Sequence, residues 1–212
     1  MRVLSTNVGQ PRPSGVPRYA MTGIDKRPQP YVQVSAPGPD YGDGSGVLHD
    51  VVGDSQFHGG EQKAVYAFAR EELDYWESIL GRSLPNGVFG ENLTTEGIDL
   101  SRLVINQQVQ IGEVLLEVSV PRSPCATFAA WVQHPGWLKK FTAHGDCGAY
   151  FRVVSPGVIR PGDPIVLREA PDHGITMGQA FAAKMGNKEI ARKVVAAHCL
   201  PGHHHEGLLR LV

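Results

Sequence analysis

Glycine and proline punctuate this sequence so often that long, uninterrupted helices have little room. The chain has 25 glycines and 16 prolines among 212 residues, and they concentrate before residue 60 and in short clusters after it. This distribution is typical of short strands joined by turns, so it favours a mainly β fold of the α+β class over a helical bundle. The predicted strands are Val3 to Val8, Tyr31 to Val34, Val104 to Ile111, Glu113 to Val120, Gly148 to Val154 and Ile165 to Leu167.

One long helix is predicted within the β-rich part. Apolar residues recur at helical spacing from Glu61 to Leu80, and Gly81 and Pro85 would end the helix. Two shorter helical segments are predicted from Thr127 to His134 and from Trp137 to Thr142.

The last forty residues have a different composition, rich in helix-forming residues. Thr176 and Gln179 have the spacing of a capping box, which predicts a helix that begins there and ends near Met185. Two more helices are predicted, at residues 188–198 and 208–212. We therefore expect two units: a β-rich domain at residues 1–170 and a small C-terminal helical appendage at residues 175–212.

Composition argues against several classes of function. Charged residues make up 19% of the chain and the formal net charge is −1, which gives no support to nucleic-acid or anionic-membrane binding. No apolar run approaches the ~20 residues that span a bilayer, and the first ten residues lack the pattern of a signal peptide. Three widely spaced cysteines suggest a reducing compartment. We expect a cytoplasmic protein without a nucleic-acid or membrane partner.

The most distinctive local stretch places a single cysteine at the end of a strand. The apolar run 114–120 stops at Pro121, and Cys125 directly follows Pro124. Because the prolines lack a backbone N–H and restrict φ, the turn is stiff and would aim the thiol in one direction. Arg122 lies close enough in sequence to lower the pKa of the thiol or to bind an anion beside it. The alternative is an ordinary buried cysteine that packs as a small hydrophobe.

A second polar stretch precedes the predicted helix at residues 61–80. His58, Gly59 and Gly60 stand just before it and Lys63 lies in its first turn. A helix N-terminus with open N–H groups attracts anions, so an anion site is one interpretation, and an ordinary turn is the other. The loop Val88 to Gly97 is a third polar segment. The adjacent His203, His204 and His205 cannot all face one ion in regular structure, so we do not expect a physiological metal there.

Three motifs in this order resemble the MOSC domain family, named for the C-terminal domain of molybdenum cofactor sulfurase. They are Gly53-Asp54…Gln56…His58-Gly59-Gly60…Lys63-Ala64-Val65, Phe89-Gly90-Glu91-Asn92-Leu93, and Pro121-Arg122-Ser123-Pro124-Cys125. Within the family, the chain is most similar to stand-alone YiiM-like bacterial members. The resemblance implies a MOSC-type β-barrel with peripheral helices and a small C-terminal helical appendage.

The resemblance also implies a cofactor and a set of site residues. The cofactor is the molybdenum cofactor, a pterin with a dithiolene and a phosphate, and Cys125 would be its metal ligand. A thiolate is a soft ligand, which agrees with that role. The other residues implied at the site are Asp54, Gln56, His58, Gly59, Gly60, Lys63, Asn92, Thr94, Arg122 and Ser123.

Reduction of N-hydroxylated compounds is the activity that the resemblance implies: N-hydroxylated bases, hydroxylamines or amidoximes. Cys125 would hold the metal, and His58 or Asp54 would deliver the protons that N–O cleavage requires. No flavin, nicotinamide or iron–sulfur motif is evident, so electrons would come from a separate flavin or iron–sulfur reductase. Ala126 stands where mitochondrial family members carry arginine, so the substrate is not implied.

Two other hypotheses remain open. The first is a non-catalytic carrier of molybdenum cofactor, or of its sulfur as a persulfide on Cys125, which needs the pocket but no substrate entrance. The second is a metal-free barrel in which Cys125 is structural.

Overall fold

The fold is built on one large curled sheet, and the computed structural model describes all residues 1–212. The strands are β1 Arg2–Pro13, β2 Met21–Gln29, β3 Val32–Val34, β4 Val65–Ala69, β5 Leu93–Glu96, β6 Gln108–Ile111, β7 Val114–Val118, β8 Ala149–Ser155, β9 Gly157–Ile159 and β10 Ile165–Leu167. Eight of them form the large sheet in the order β10-β6-β7-β8-β4-β5-β1-β2, and β3 pairs with β9 in a small second sheet. All neighbours are antiparallel except β4 and β5.

The mainly β, α+β fold class is confirmed, but the sheet is not closed into the expected MOSC-type β-barrel. Strands β10 and β2 stand at the two edges of the sheet and do not pair with each other. Only the start of β1 approaches β10, through a bridge between Arg2 and Pro164. Two backbone hydrogen bonds flank the bridge, from the Val3 amide to the Asp163 carbonyl at 3.0 Å and from the Ile165 amide to the Met1 carbonyl at 3.2 Å. The pairing consists of this one bridge and does not form a ladder between the two strands.

The predicted helix from Glu61 to Leu80 is only half correct. A single 3₁₀ turn at Glu61–Lys63 leads into strand β4, and helix α1 begins at Arg70. All five residues of β4 are buried, because this strand lies between β5 and β8 in the middle of the sheet. A strand buried on both faces reads as a continuous apolar run, which periodicity cannot separate from a buried helix. The end at Gly81, which has φ 65°, agrees with the prediction.

Six helices cover the sheet. They are α1 Arg70–Leu80, α2 Ala126–Val132, α3 Trp137–His144, α4 Met177–Lys184, α5 Lys188–Ala197 and α6 Gly202–Leu209. The capping box of Thr176 and Gln179 is present, as predicted. The last helix begins at Gly202, not at residue 208, and it contains the three adjacent histidines. No helix is both long and apolar enough to cross a membrane.

The C-terminal helices share one hydrophobic core with the sheet. Met177, Phe181 and Val194 belong to the same cluster of 44 buried residues as the strands. The amide of Met177 donates to the carbonyl of Leu103 at 2.7 Å, which ties the start of α4 to the segment before β6. The domain boundary predicted at residues 170–175 therefore separates two parts that share one continuous hydrophobic core.

Candidate functional site

Cys125 lies where the sheet meets helix α2. The segment after β7 has no regular secondary structure through Pro121 and Pro124, and Cys125 occupies the cap position before α2 with φ −127° and ψ 169°. Its carbonyl accepts from the amide of Ala129 at 3.0 Å, which anchors the residue to the first turn of the helix. The side chain is partly exposed and lines a cavity of about 650 Å³. The thiol is therefore held at a cavity wall and not packed in the core.

The cavity lies between the sheet domain and the C-terminal helices. Cys125 shares its wall with Asp54, His58, Lys63, Arg122 and Ser123, all of which the sequence motifs indicated. Helices α4 and α6 contribute Lys184, His203, His204 and Leu208 on another side.

Arg122 is a buried cation that points toward this cavity. Its side chain is 8% exposed, and its guanidinium donates to the carbonyl of Phe89. The same group lies 4.1 Å from the ring centroid of Phe128 and 4.9 Å from that of Tyr66. It makes no ion pair with a carboxylate, so its charge is available to an anionic ligand.

The motif Phe89-Gly90-Glu91-Asn92 holds Arg122 in place. Glu91 is fully buried, and its carboxylate accepts from the amides of Gly87 at 2.5 Å and Phe89 at 3.0 Å. These bonds fix the loop whose Phe89 carbonyl receives the guanidinium. The sequence indicates this motif but does not distinguish Glu91 from its neighbours.

Lys63 and His58 face the cavity from the segment before β4. Lys63 Nζ donates to the carbonyl of Phe57 at 2.5 Å and lies 4.6 Å from the ring centroid of Tyr41. Burial, with the charge of Lys184 as a second cause, lowers the pKa of Lys63 to about 7. Burial and then the charge of Lys63 lower the pKa of His58 to about 4. His58 is thus neutral at neutral pH, and its buried Nδ1 has no hydrogen-bond partner.

A smaller cavity of about 100 Å³ adjoins the same residues. His58, Lys63, Arg122 and Cys125 line both cavities, and Gly59 and Asn92 line only the smaller one. Asn92 donates to Asp50 at 2.9 Å, and Asp50 forms a buried ion pair with Lys26 at 2.5 Å. Asn92 therefore holds a structural network at the edge of the site.

Three predicted site residues lie outside both cavities. Gln56 is exposed and accepts from Arg18. Thr94 is buried and donates to Glu91 at 3.0 Å. A Cβ on Gly60 would lie 2.1 Å from the carbonyl oxygen of Asp40, so this glycine allows the loop at residues 38–44 to pack. The glycine pair precedes a single 3₁₀ turn and not an α-helix, so of the two interpretations of this segment the anion site at a helix N-terminus is wrong.

Several cavity residues are not indicated by the sequence as members of this site. Tyr41 and Tyr150 lie in a loop and a strand that showed no motif, and Lys184 and His204 lie in the C-terminal helices. His203, His204 and His205 do not converge, and no group of three or more histidine, cysteine, aspartate or glutamate side chains is arranged to hold a metal ion.

Comparison with known proteins identifies the family. A model of the MOSC domain matches residues 54–166, which is more than half of the chain. The match includes the second and third motifs and all of the first motif except Gly53. This chain belongs to the MOSC domain family. YflK of Bacillus subtilis strain 168, an uncharacterized protein, is 34% identical over 176 residues, covering 82% of this chain and 76% of YflK.

Two further proteins are similar to this chain, one in structure and one in sequence. The crystal structure of YiiM from Geobacillus stearothermophilus is similar with a TM-score of 0.76 at 28% identity, covering 99% of this chain and 98% of that one. The similarity to this YiiM structure therefore extends through the C-terminal helices. A protein of Gibberella moniliformis named as a reductase is 33% identical over 141 residues, which are 63% of this chain but 24% of that protein.

Proposed function

We propose that this protein binds a molybdenum cofactor in the larger cavity and reduces N-hydroxylated compounds there. The observation that carries the proposal is the meeting of Cys125, Arg122, Lys63 and His58 on one cavity wall in a MOSC chain. The fungal relative named as a reductase supports redox chemistry.

The residues present fit such a cofactor. The partly exposed thiol of Cys125, on a proline-fixed turn, suits a soft metal. The buried Nδ1 of His58 has no hydrogen-bond partner within the protein, and a polar edge of the pterin can supply one. Arg122 and Lys63 make no ion pair within the protein, so each can meet a negative charge of the cofactor. When bound, the cofactor would supply two-electron redox chemistry.

Proton delivery falls to Lys63 more readily than to His58. N–O cleavage releases water and needs protons, and an efficient donor has a pKa near the working pH. Lys63 has a pKa of about 7, whereas His58, at about 4, carries no extra proton at neutral pH. Asp54 remains a second candidate because it lines the same wall. A separate flavin or iron–sulfur protein would supply the electrons.

The reaction is tested with a chemical reductant in place of the unidentified donor protein. Protein from a cofactor-competent host, purified without a metal column, is mixed with reduced methyl viologen and an N-hydroxylated base, a hydroxylamine or an amidoxime. Chromatography follows the loss of the N-hydroxy compound. We expect turnover by the wild type and none by Cys125→Ser, because an alcohol is a poor ligand for a soft metal.

Cys199→Ala is the matched control. Cys199 is buried outside both cavities, so this variant should keep the activity. Full activity of Cys125→Ser would contradict the proposed role of the thiol. A wild type that holds the cofactor, hands it to an apo-enzyme and reduces no N-hydroxy compound would support the carrier instead.

A further inference from the structure

One wall of the larger cavity carries a chain of polar contacts that the proposed reaction does not use. Lys184 Nζ lies 3.3 Å from Nδ1 of His204, and Nε2 of His204 lies 2.7 Å from the Tyr41 hydroxyl. All three residues line the cavity. Lys184 comes from α4, His204 from α6, and Tyr41 from the loop between β3 and β4, so three separate segments converge here.

The protonation of Lys184 determines which atom donates in each of these two contacts. Burial lowers the pKa of Lys184 to about 8 and, with the charge of Lys184 as a second cause, that of His204 to about 3. At neutral pH the lysine is therefore protonated and the imidazole is neutral. An ammonium group can only donate, so Nδ1 of His204 accepts and Nε2 carries the single ring hydrogen. Nε2–H then donates to the Tyr41 oxygen, which leaves the Tyr41 O–H free for another acceptor.

Charges around this wall favour an anion as that acceptor. The cavity is lined by two acidic residues, Asp54 and Glu206, and by five basic residues: Arg18, Lys63, Arg122, Lys184 and Arg210. Lys63, with a pKa of about 7, is charged only in part at neutral pH. None of the five basic side chains forms an ion pair. Lys184 has no hydrogen-bond partner besides His204, so its other N–H groups are free to bind a ligand.

We propose that Lys184 and Tyr41 form an oxyanion subsite for a phosphate or carboxylate group, with His204 as the residue that positions both donors. The inference rests on the proposed function only for the identity of the ligand. Two sources can supply the group: the phosphate of the cofactor, or an anionic group of the substrate. In either case the C-terminal helices supply part of the binding site.

The test uses inorganic phosphate and the cofactor-free full chain. Phosphate binding at neutral pH is followed by calorimetry and by the rise in Tm, with sodium chloride at equal ionic strength as the control for screening. We expect phosphate to bind the wild type, with a loss of about tenfold or more in affinity for Lys184→Met and several-fold for Tyr41→Phe. Lys184→Met removes an unpaired cation, so its fold should persist, and its Tm without phosphate verifies this.

Lys188→Met and Tyr31→Phe are the matched controls, since both side chains are exposed and lie outside the cavities. They should bind phosphate as the wild type does. Phosphate without effect beyond that of chloride, or binding unchanged in both Lys184→Met and Tyr41→Phe, would overturn the subsite.

Repeating the titration on cofactor-loaded protein distinguishes the two sources. Phosphate binding that persists assigns the subsite to the substrate, and binding that disappears assigns it to the phosphate of the cofactor; the subsite stands in both cases. If the protein never takes up molybdenum, the proposed reaction fails while the phosphate result still decides the subsite.

Discussion

Burial lowers the pKa of three basic side chains in the cavity, and the three differ in their charge at neutral pH. The pKa falls to about 4 for His58, about 7 for Lys63 and about 8 for Lys184. His58 is neutral, Lys184 stays charged, and Lys63 changes its charge near neutral pH. One cavity thus combines a lysine that is mostly charged, a neutral hydrogen-bonding ring and a second lysine that can give up a proton at neutral pH.

The pH dependence of reduction should report the proton on Lys63. A general acid must be protonated to act, so activity should be full below pH about 7 and should fall as pH rises above it. Lys63→Gln should abolish this fall of activity with rising pH and lower kcat by a factor of roughly 10²–10⁴. The exposed Lys139→Gln is the control. If the activity of Lys63→Gln still falls above the same pH, another group gives the proton.

Sequence motifs could locate the residues that sit within a few positions of one another. Asp54, His58 and Lys63 form one such group, and Arg122, Ser123 and Cys125 form another; the structure brings both to the same cavity. Tyr41, Lys184 and His204 could not be found in this way. They are far apart in the chain, and only tertiary packing places them on one wall.

At the element scale, short loops position the site. Glu91 fixes the loop 87–91 through the amides of Gly87 and Phe89, and that loop in turn accepts the guanidinium of Arg122. Burial raises the pKa of Glu91, although its hydrogen bonds oppose the shift. A carboxylate with several internal donors is costly to remove, because the donors that it leaves behind remain buried.

Glu91→Ala should therefore destabilise the protein and loosen Arg122 together. We expect the free energy of unfolding in urea to fall by roughly 2–4 kcal/mol, because two buried N–H groups lose their acceptor. Glu189→Ala removes only an exposed (i, i+4) pair and should change the free energy by less than about 0.5 kcal/mol. Equal losses in the two variants would contradict the role of Glu91.

Strand β4 lies within the segment that the sequence predicts as a helix. Val65–Ala69 is buried on both faces, so its apolar residues gave no alternation and merged with the helical pattern of α1. Strand β2 is not predicted from the sequence, because it contains Asp25, Lys26 and Pro28, which are unusual in a strand. In the structure, β2 pairs with β1, Asp25 forms an ion pair with Arg12 of β1, and Lys26 forms one with Asp50.

At the scale of the whole molecule, sheet and C-terminal helices form one packed core. Phe181 of α4 is 1% exposed, and its ring centroid lies 6.5 Å from that of Phe141 in α3. The composition change near residue 172 marked a change of secondary structure correctly. It could not show how much apolar surface the two parts bury against each other.

Phe181→Ala should consequently destabilise the entire protein. Truncating a buried phenylalanine costs about 3–5 kcal/mol. All three tryptophans, Trp76, Trp131 and Trp137, precede residue 170, so tryptophan fluorescence reports the sheet and its covering helices. The fluorescence and circular dichroism transitions should both shift to lower urea, and by the same amount. Leu209→Ala, at a side chain that is 49% exposed, is the control. An unchanged fluorescence transition in Phe181→Ala would indicate two independent folding units.

The most direct test of the central proposal is the molybdenum and pterin content of the wild type and of Cys125→Ser, both purified from a cofactor-competent host without a metal column. Elemental analysis gives the metal, and fluorescence after oxidation gives the pterin. We predict that the wild type carries both and that Cys125→Ser loses most of its molybdenum, whereas Arg122, Lys63 and His58 still hold part of the pterin. Equal molybdenum in the two proteins, or none in either after repeated preparations, would contradict a molybdenum site at Cys125.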